Sequence, residues 1–292
     1  MAVFDEQPML RHLPDRHPVR VVAVSSGKGG VGKTHVTVNL GLALAASGQR
    51  VMLMDADLGL ANIDVLLGLH PRWNLSHVVS GERSLDEVVV QGPHGMLVVP
   101  AASGLQSMSE LSPAEYAGLI CAFNAVSHYV DILLVDTAAG ISNSVVTFSS
   151  AAQEVIIVVC DEPASITDAY ALIKHLNREH GVARFHIVAN MVNREEEGVE
   201  LYRKMVRVTD RFLDASVDYM GAVPYDLNLR RALQKQHAVV EAYPKSPSAI
   251  AFRGLAAQVG RWPTTRGASG QLQFFLERIV QENRHGDLLL AG

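Results

Sequence analysis

Cysteine is scarce in this chain of 292 residues, which contains only Cys121 and Cys160. The two lie far apart in apolar segments and form no C-x-x-C pair, which argues against a disulfide framework and against an iron–sulfur carrier. Both are predicted to be buried, reduced thiols of a cytosolic protein. The 12 histidines show neither H-x-H nor H-E-x-x-H spacing, so the sequence predicts no structural metal site of that kind.

Long apolar runs and aromatic residues are also few. No apolar run reaches ~18 residues and the first residues lack an apolar signal core, so the chain is predicted to be cytoplasmic, neither secreted nor membrane-spanning. Aromatic residues make up 6% and hydrophobic residues 48% of the sequence, a composition typical of an α/β enzyme rich in Ala, Val and Leu. The net charge of −5 and the pI near 6.2 argue against strong nucleic-acid binding.

What the sequence does contain is a phosphate-binding loop. Residues 27–34 read Gly-Lys-Gly-Gly-Val-Gly-Lys-Thr and match the pattern G-x-x-x-x-G-K-[ST]. An apolar run precedes them and a helical pattern follows, which is the strand–loop–helix context that the motif requires; the alternative is a glycine-rich turn that binds nothing. Lys33 is expected to reach the β- and γ-phosphates, and the hydroxyl of Thr34 to bind Mg²⁺. The predicted nucleotide contacts in this segment are Gly27, Lys28, Gly29, Gly30, Val31, Gly32, Lys33, Thr34 and His35.

Short apolar runs alternate with helix-sized segments along most of the chain. This alternation predicts an α/β fold with a doubly wound, mostly parallel sheet and helices on both faces. Residues 1–18 are polar and are predicted to be a flexible tail, 19–260 the globular domain, and 261–292 a linker followed by an amphipathic helix and tail. The predicted strands are 19–24, 51–54, 96–99, 131–135, 155–159, 185–189 and 217–223.

Three aspartates follow the predicted strands. Asp55 and Asp57 come at the end of the second strand, and Asp136 ends the apolar run 131–135. Ligands bind at the carboxyl ends of parallel strands, so all three are predicted to face the phosphate loop. A hydrophobic strand that ends in Asp is the Walker B arrangement, in which the carboxylate orders Mg²⁺, so Thr34 and Asp136 are the predicted metal residues. The alternative for Asp55 and Asp57 is a pair of solvated loop acids.

Lys28, directly after the first glycine of the loop, makes the octet resemble the deviant Walker A motif of the MinD/ParA ATPases. The resemblance implies that the chain binds and slowly hydrolyses ATP with Mg²⁺ and forms a homodimer in ATP. It implies that Lys28 crosses to the partner subunit's phosphates and that Asp57 orients the attacking water while Asp55 supports the site. Lys28, Lys33 and Asp57 are thus the predicted catalytic residues; the alternative for Lys28 is a lysine solvated on the loop.

The same resemblance points to the adenine contacts. In the family an Asn after one strand and backbone or an acid after the next recognise the base, which predicts Asn190, Pro224 and Asp226 as its contacts. An Asn amide can pair with both donor and acceptor edges of adenine. For Asp226 the residues leave a second possibility of equal weight, an N-cap of the predicted helix 227–236.

Four segments indicate the branch of the family. They resemble the flagellar-number regulators of the FlhG type, called FleN in pseudomonads, which implies two partners, an FlhF-type GTPase and the flagellar master transcription activator. A MinD-like division-site ATPase, a ParA-like partitioning ATPase and an ATP-driven metabolic enzyme of the same fold stay open as alternatives. The segments are 55–68, 100–104, 136–141 and 160–174.

Both ends of the chain carry weaker signals. Asp5, Leu10 and Arg11 match a D-Q-A-x-x-L-R segment with which many FlhG proteins stimulate FlhF, and the alternative is a disordered polar tail. Residues 271–280 have an apolar helical face, and MinD-type relatives use such a helix at the membrane. We expect weak, ATP-dependent contact with the inner membrane or the cell pole through 271–280; the alternative is that the helix packs into a groove on its own domain. The apolar face is formed by Leu272, Phe275, Leu276 and Ile279.

Overall fold

A computed structural model describes residues 19–57, 63–101, 113–262 and 277–279. Eight strands form one sheet in the order β3-β4-β2-β5-β1-β6-β7-β8, and every pair of neighbours is parallel except β3 and β4. The strands are β1 (Arg20–Ser26), β2 (Val51–Ala56), β3 (Val90–Gln91), β4 (Leu97–Val99), β5 (Ile132–Ala139), β6 (Glu154–Val159), β7 (Arg184–Val192) and β8 (Ser216–Pro224).

Helices cover both faces of this sheet, which confirms the predicted doubly wound α/β architecture. One apolar cluster joins α1, α10 and α11 to one face, and two others join α3 to α8 to the opposite face. The helices are α1 (Lys33–Ala46), α2 (Ile63–Leu66), α3 (Leu75–Val79), α4 (Leu85–Val88), α5 (Pro113–Val126), α6 (Asn143–Ala151), α7 (Pro163–His180), α8 (Glu195–Phe212), α9 (Leu227–Gln234), α10 (Val239–Ala242) and α11 (Pro247–Val259).

The central strands are buried on both faces, and this explains why their sequences are apolar throughout rather than alternating. Residues 132–135 of β5 and 155–159 of β6 are all nearly inaccessible. All seven predicted strands are present, with boundaries shifted by a few residues. The two-residue strand β3 was not predicted, because a segment of that length carries no period.

A network of side chains holds the point where the chain leaves the sheet after α11. The guanidinium of Arg20, the first residue of β1, donates to the carbonyl oxygens of Val259 at 2.9 Å and Trp262 at 2.7 Å. The indole of Trp262 stacks on the ring of His186, with centroids 4.2 Å apart, and His186 Nε2 lies 2.8 Å from Glu154 Oε2. These contacts join the end of the domain to the amino ends of β1, β6 and β7.

The predicted tail 1–18, residues 263–270 of the predicted linker 261–270 and most of the predicted C-terminal helix lie outside the described residues. Residues 277–279 are helical, and Ile279 is fully buried in the apolar cluster that also contains side chains of α3 and α5. Packing on the own domain therefore holds for this one residue of the predicted apolar face. Among the helices that the structure describes, none is long and apolar enough to cross a membrane.

Candidate nucleotide-binding site

The phosphate loop and the predicted aspartates meet at one edge of the sheet. β1 leads into residues 27–32, while its neighbour β5 contains Asp136, and β2, next to β5, ends before Asp57. Asp55 and Asp136 lie opposite each other in the β2–β5 pair. The parallel register thus brings segments that are distant in the sequence to the carboxyl ends of three adjacent strands, where this class of sheet binds its ligands.

Two glycines of the loop are required by the backbone and by close contacts. Gly32 has a φ of 84°, and an added Cβ there would lie 2.4 Å from Asn190 Nδ2. Gly27 would place a Cβ 2.1 Å from the carbonyl carbon of Asp168 in α7. Any side chain at Gly27 therefore collides with the α7 backbone, and one at Gly32 would be strained and crowded.

The carboxylate of Asp136 is the centre of the site. It is 1% exposed and accepts hydrogen bonds from Lys33 Nζ at 2.9 Å, Thr34 Oγ1 at 2.7 Å and Thr37 Oγ1 at 2.7 Å. Lys33, Thr34 and Thr37 come from the first turn and a half of α1, so this helix and β5 are locked together. Thr37 was missed from the sequence; its position one turn after Lys33, on the same helix face, is the signal that identifies it.

Thr34 and Asp136 fit the predicted Mg²⁺ site. A hydroxyl and a carboxylate are hard oxygen donors of the kind that Mg²⁺ prefers, and the two side chains are in direct contact. Lys33 supplies the adjacent cation that a phosphate chain requires. The residues present therefore suit a magnesium nucleotide.

Asp55 organises the segment that contains Asp57. It is 4% exposed, and its two carboxylate oxygens accept the backbone N–H groups of Asp57 at 3.1 Å and of Ile63 at 3.2 Å. Asp55 thus bridges the two ends of a segment whose middle, residues 58–62, lies outside the described residues. Asp57 itself is half-buried beside this bridge, so Asp55 is a buried bridging carboxylate rather than a solvated loop acid.

Lys28 forms an ion pair within its own chain. Its Nζ lies 2.7 Å from Glu162 Oε2, at the start of α7, and both side chains are partly exposed. The hydrogen bond and the charge of Glu162 raise the pKa of Lys28. Sequence reasoning did not identify Glu162, since a single acid 134 positions away gives no local signal.

Asn190 braces the phosphate loop. Its side chain is 2% exposed, and Nδ2 donates to the carbonyl oxygen of Val31 at 2.7 Å. The next residue, Met191, has a φ of 59°, and the register of β7 against β8 shifts at this point. The side chain of Asn190 thus contacts the phosphate loop at the point where the strand becomes irregular. Its adenine contact stays a prediction.

Asp226 is the N-cap of α9. Its Oδ1 accepts the backbone N–H of Asn228 at 2.8 Å, and its Oδ2 accepts the hydroxyl of Ser248 at 2.7 Å. Burial alone would raise the pKa of Asp226, but these hydrogen bonds outweigh it and leave the pKa lowered. The capping alternative is thus observed, whereas base contacts by Asp226 and the adjacent Pro224 stay predictions. Tyr225, between them, is 60% exposed.

The two thiols lie in different environments. Cys160 is buried at the end of β6, and burial with the nearby charge of Glu162 raises its pKa to about 11. Cys121 is exposed on α5, so the prediction that both thiols are buried was wrong for this residue. The apolar run around Cys121 belongs to a helix with one solvent-facing side, which hydrophobicity alone does not reveal.

His35 is expected to make the folded protein sensitive to acid. Burial lowers its pKa, and the charge of Asp136 only partly opposes this. The folded pKa lies below the unfolded value of about 6.5, so the unfolded state binds a proton first as the pH falls. The free energy of unfolding is therefore highest above about pH 6.5 and decreases as the pH falls towards the folded pKa. We expect the urea concentration at the unfolding midpoint to decrease as the pH is lowered from 7.5 to 5.5. The decrease should be smaller in His35→Gln. Parallel pH profiles of the two proteins would contradict this assignment.

Comparison with known proteins agrees with this site. A ParA family model, described as an NUBPL iron-transfer P-loop NTPase, matches residues 18–260. The antiactivator FleN of Pseudomonas aeruginosa is 56% identical over 277 residues, which cover 95% of this chain and 99% of that protein. The flagellum site-determining protein YlxH of Helicobacter pylori is 33% identical over 77% of this chain and 76% of its own length.

Solved structures show the same fold. The septum site-determining protein MinD of Pyrococcus horikoshii, solved with Mg-ADP, superposes with a TM-score of 0.68 at 24% identity and covers 83% of this chain and 96% of that one. The two cysteines of this chain do not form a pair of the kind that binds iron: Cys121 lies on α5, and Cys160 directly follows β6. The match over 18–260, the relatives and the geometry of the loop together place this chain in the ParA/MinD family of P-loop ATPases, in the FlhG/FleN branch.

Proposed function

We propose that this protein is an ATP-dependent dimerisation switch that hydrolyses ATP slowly and regulates the number and placement of flagella. The observation that carries the proposal is the identity of 56% with the antiactivator FleN over nearly the full length of both chains. The flagellum site-determining name of the second relative supports it. The intact set of Lys28, Lys33, Thr34 and Asp136 supports ATP turnover as the source of the switch.

An apolar rim around the nucleotide edge supports a second copy of this chain as the partner in ATP. Several large apolar side chains there are 43–60% exposed, although soluble proteins usually expose such residues singly. Each follows or lies near the carboxyl end of β2, β5, β7 or β8. Face-to-face closure of two subunits would cover them. The rim consists of Val65, Ile141, Met191, Tyr225 and Leu227.

The chemistry follows from positioning and charge. Bound Mg²⁺ would neutralise charge between the β- and γ-phosphates. In this structure Lys33 forms an ion pair with Asp136. In the nucleotide complex the same ammonium group would also contact the phosphate oxygens. Asp57 orients the attacking water, and the bridge from Asp55 holds the Asp57 backbone in place. Lys28 approaches the phosphates of the partner subunit, so that closure completes the site.

Breaking the Lys28–Glu162 pair should make the dimer form more readily. In this proposal Lys28 must leave Glu162 before it reaches the other subunit, so Glu162→Gln removes one interaction that favours the monomer. Because the pair is exposed, the effect is modest: we expect half-maximal dimerisation at roughly two- to fivefold lower ATP concentration. Light scattering during an ATP titration measures it.

Asp161→Asn is the matched control for this variant. Asp161 is the neighbour of Glu162 and forms an equally short, partly exposed ion pair, with Lys204 Nζ 2.7 Å from its Oδ1. Lys204 lies on α8 rather than on the phosphate loop. The control should dimerise as the wild type does. Identical ATP titrations for Glu162→Gln and Asp161→Asn would show that the Lys28 pair does not oppose closure.

The partners follow from the same assignment. We propose an FlhF-type GTPase and the flagellar transcription activator as protein partners, with the segment around Asp5, Leu10 and Arg11 acting on the GTPase. GTPase turnover should be lower with a chain that lacks residues 1–18 than with the full chain. Equal rates would remove this segment from the proposal. The proposed ATP-dependent dimerisation of the domain does not depend on this segment and would still stand.

Membrane contact is proposed only for the ATP form. Ile279 is buried in its own domain, so this residue must leave its apolar cluster before the predicted apolar face of 271–280 can meet a lipid surface. Two released helices in one dimer would bind with a higher effective concentration than one. We expect weak, ATP-dependent cosedimentation with anionic vesicles that Phe275→Glu abolishes. Cosedimentation that is absent in ATP, or unchanged in that variant, would leave the segment as a structural or partner-binding helix.

Deletion of the gene in the native organism tests the function as a whole. If the protein limits flagellar number, the deleted strain should carry more flagella per cell than the parent, counted by electron microscopy. Normal flagella with minicells would indicate a division-site role instead, and normal flagella with plasmid loss a partitioning role. Complementation with the wild type, but not with Lys33→Ala, would link the phenotype to nucleotide binding.

A further inference from the structure

The strand that carries Asp136 has an irregularity directly after this residue. In the β1–β5 pair Val24 lies opposite Asp136, but Ser26 lies opposite Ala139, so three steps along β5 match two along β1. Such a bulge re-aims side chains and is common beside active sites. Here it separates the carboxylate of Asp136 from the segment that continues to Gly140.

Three buried hydroxyl groups meet at this bulge. Ser25 Oγ lies 3.0 Å from Thr137 Oγ1 and 2.8 Å from Ser149 Oγ, and all three residues are fully buried. Ser25 is in β1, Thr137 in β5 and Ser149 in α6. Thr137 Oγ1 also lies 2.9 Å from the carbonyl oxygen of Ala138, within the bulge, and 3.3 Å from that of Val24, directly before it.

This hydroxyl cluster of Ser25, Thr137 and Ser149 links three parts of the site. β1 continues into the phosphate loop, Thr137 directly follows Asp136, and α6 begins three residues after Gly140. The backbone N–H of Gly140 donates to the carbonyl oxygen of Ser26 at 2.9 Å, with a φ of 93° at the glycine. The segment between Asp136 and α6 is therefore tied to β1 at both the bulge and the turn.

Simple packing does not require three hydroxyls at this place. An apolar residue such as valine has nearly the shape of Thr137 and would fill the same space without any need for partners. Buried polar networks that are fully paired instead specify one arrangement of the elements that supply them. The elements joined here are the ones that carry the phosphate loop, Asp136 and the following segment.

We propose that Thr137 is a positioning residue for ATP hydrolysis. Its hydroxyl contacts Ser25, which Ser149 contacts in turn, and so fixes the bulge. The bulge sets the Asp136 carboxylate and the 138–140 segment in register with the phosphate loop. Nucleotide affinity comes mainly from the loop backbone and Lys33, which this hydroxyl does not touch. The proposal rests on the ATPase function above and adds a residue to that site.

Thr137→Val tests it, because this change removes the hydroxyl and keeps the shape. We expect kcat for ATP hydrolysis to fall roughly 10- to 100-fold, the cost of a small misplacement of reacting groups, while the Kd for ATP changes by less than about threefold. Thr137→Ser restores a hydroxyl and should recover most of kcat. A purely structural role would lower the unfolding midpoint without this split between kcat and Kd.

Ser149→Ala is the second variant, in case Thr137→Val does not fold. It removes the far end of the hydroxyl cluster and should lower kcat several-fold at unchanged Kd. Ser150→Ala is the control, since Ser150 is equally buried but donates only within α6, to Thr147 O at 3.2 Å; its kcat should stay within twofold of the wild type.

The outcomes separate the two proposals. If the wild type hydrolyses ATP and both Thr137→Val and Ser149→Ala have the same kcat as the wild type, the positioning role is overturned. The proposed ATPase function would then still stand. A parallel loss of kcat and affinity in Thr137→Val would overturn it as well, because the hydroxyl would then support binding. Wild-type protein without any ATP hydrolysis would overturn the proposed function and with it this role.

Discussion

Lys33→Ala is expected to abolish ATP binding and, separately, to destabilise the nucleotide-free protein. Lys33 is the predicted loop cation for the β- and γ-phosphates, and in this structure its Nζ is paired with Asp136 at the buried centre of the site. Removing the lysine leaves a buried carboxylate with only hydroxyl donors. We expect a loss of about 3 kcal/mol in unfolding free energy, at the lower end for a broken buried pair because Thr34 and Thr37 remain.

Isothermal titration calorimetry and urea unfolding measure the two effects of Lys33→Ala. Lys28→Ala is the control, because it changes the other lysine of the same loop, whose ion pair is exposed. That control should unfold at the wild-type urea concentration, because its exposed pair contributes little to stability. Retention of wild-type affinity within tenfold in Lys33→Ala would contradict the assignment of this residue to the phosphate chain.

Asp57→Ala is expected to bind ATP, lose hydrolysis and accumulate as a dimer. In the proposed switch Asp57 orients the attacking water. ATP binding depends instead on the phosphate loop and Asp136, and association of the two subunits depends on Lys28. Closure should therefore survive while the step that reopens the dimer is lost. The bridge from Asp55 to the backbone N–H groups of Asp57 and Ile63 does not depend on the Asp57 side chain, so the local fold should persist.

Light scattering at micromolar protein in ATP measures this accumulation, and a phosphate-release assay measures hydrolysis. Asp64→Ala is a suitable control, as it removes a nearby carboxylate whose Oδ1 accepts only the N–H of Val65 at 2.8 Å. It should hydrolyse ATP and cycle as the wild type does. A monomeric Asp57→Ala protein in ATP would show that the switch model is wrong.

The sequence predicted elements whose cause is local or periodic. The central strands are buried on both faces, so their apolar runs were sufficient to place them, and the glycine pattern located the loop between β1 and α1. The two-residue strand β3 had no such signal. Cys121 lies in an apolar run of a helix that still has an exposed side, so composition alone assigned it wrongly.

Contacts that depend on tertiary structure could not be predicted from the sequence. The pairing of Lys28 with Glu162 and the meeting of Ser25, Thr137 and Ser149 join positions more than 100 residues apart. For Asp226 local reasoning offered a cap and a base contact, and the folded chain shows the cap. The sequence thus predicted which residue types lie at this edge of the sheet. Their partners depend on the register of β1, β5 and β6 and on the position of α7, which the sequence alone does not show.

The hydrogen bonds from Arg20 to Val259 and Trp262 decide where the tails of this molecule begin. They bring the first described strand and the end of α11 together at the amino ends of the strands, which is the pole opposite the nucleotide edge. In a dimer closed through the nucleotide edges, the start of β1 in each subunit would lie at the pole away from the other subunit. The point from which residues 1–18 extend would then be remote from the seam between the subunits.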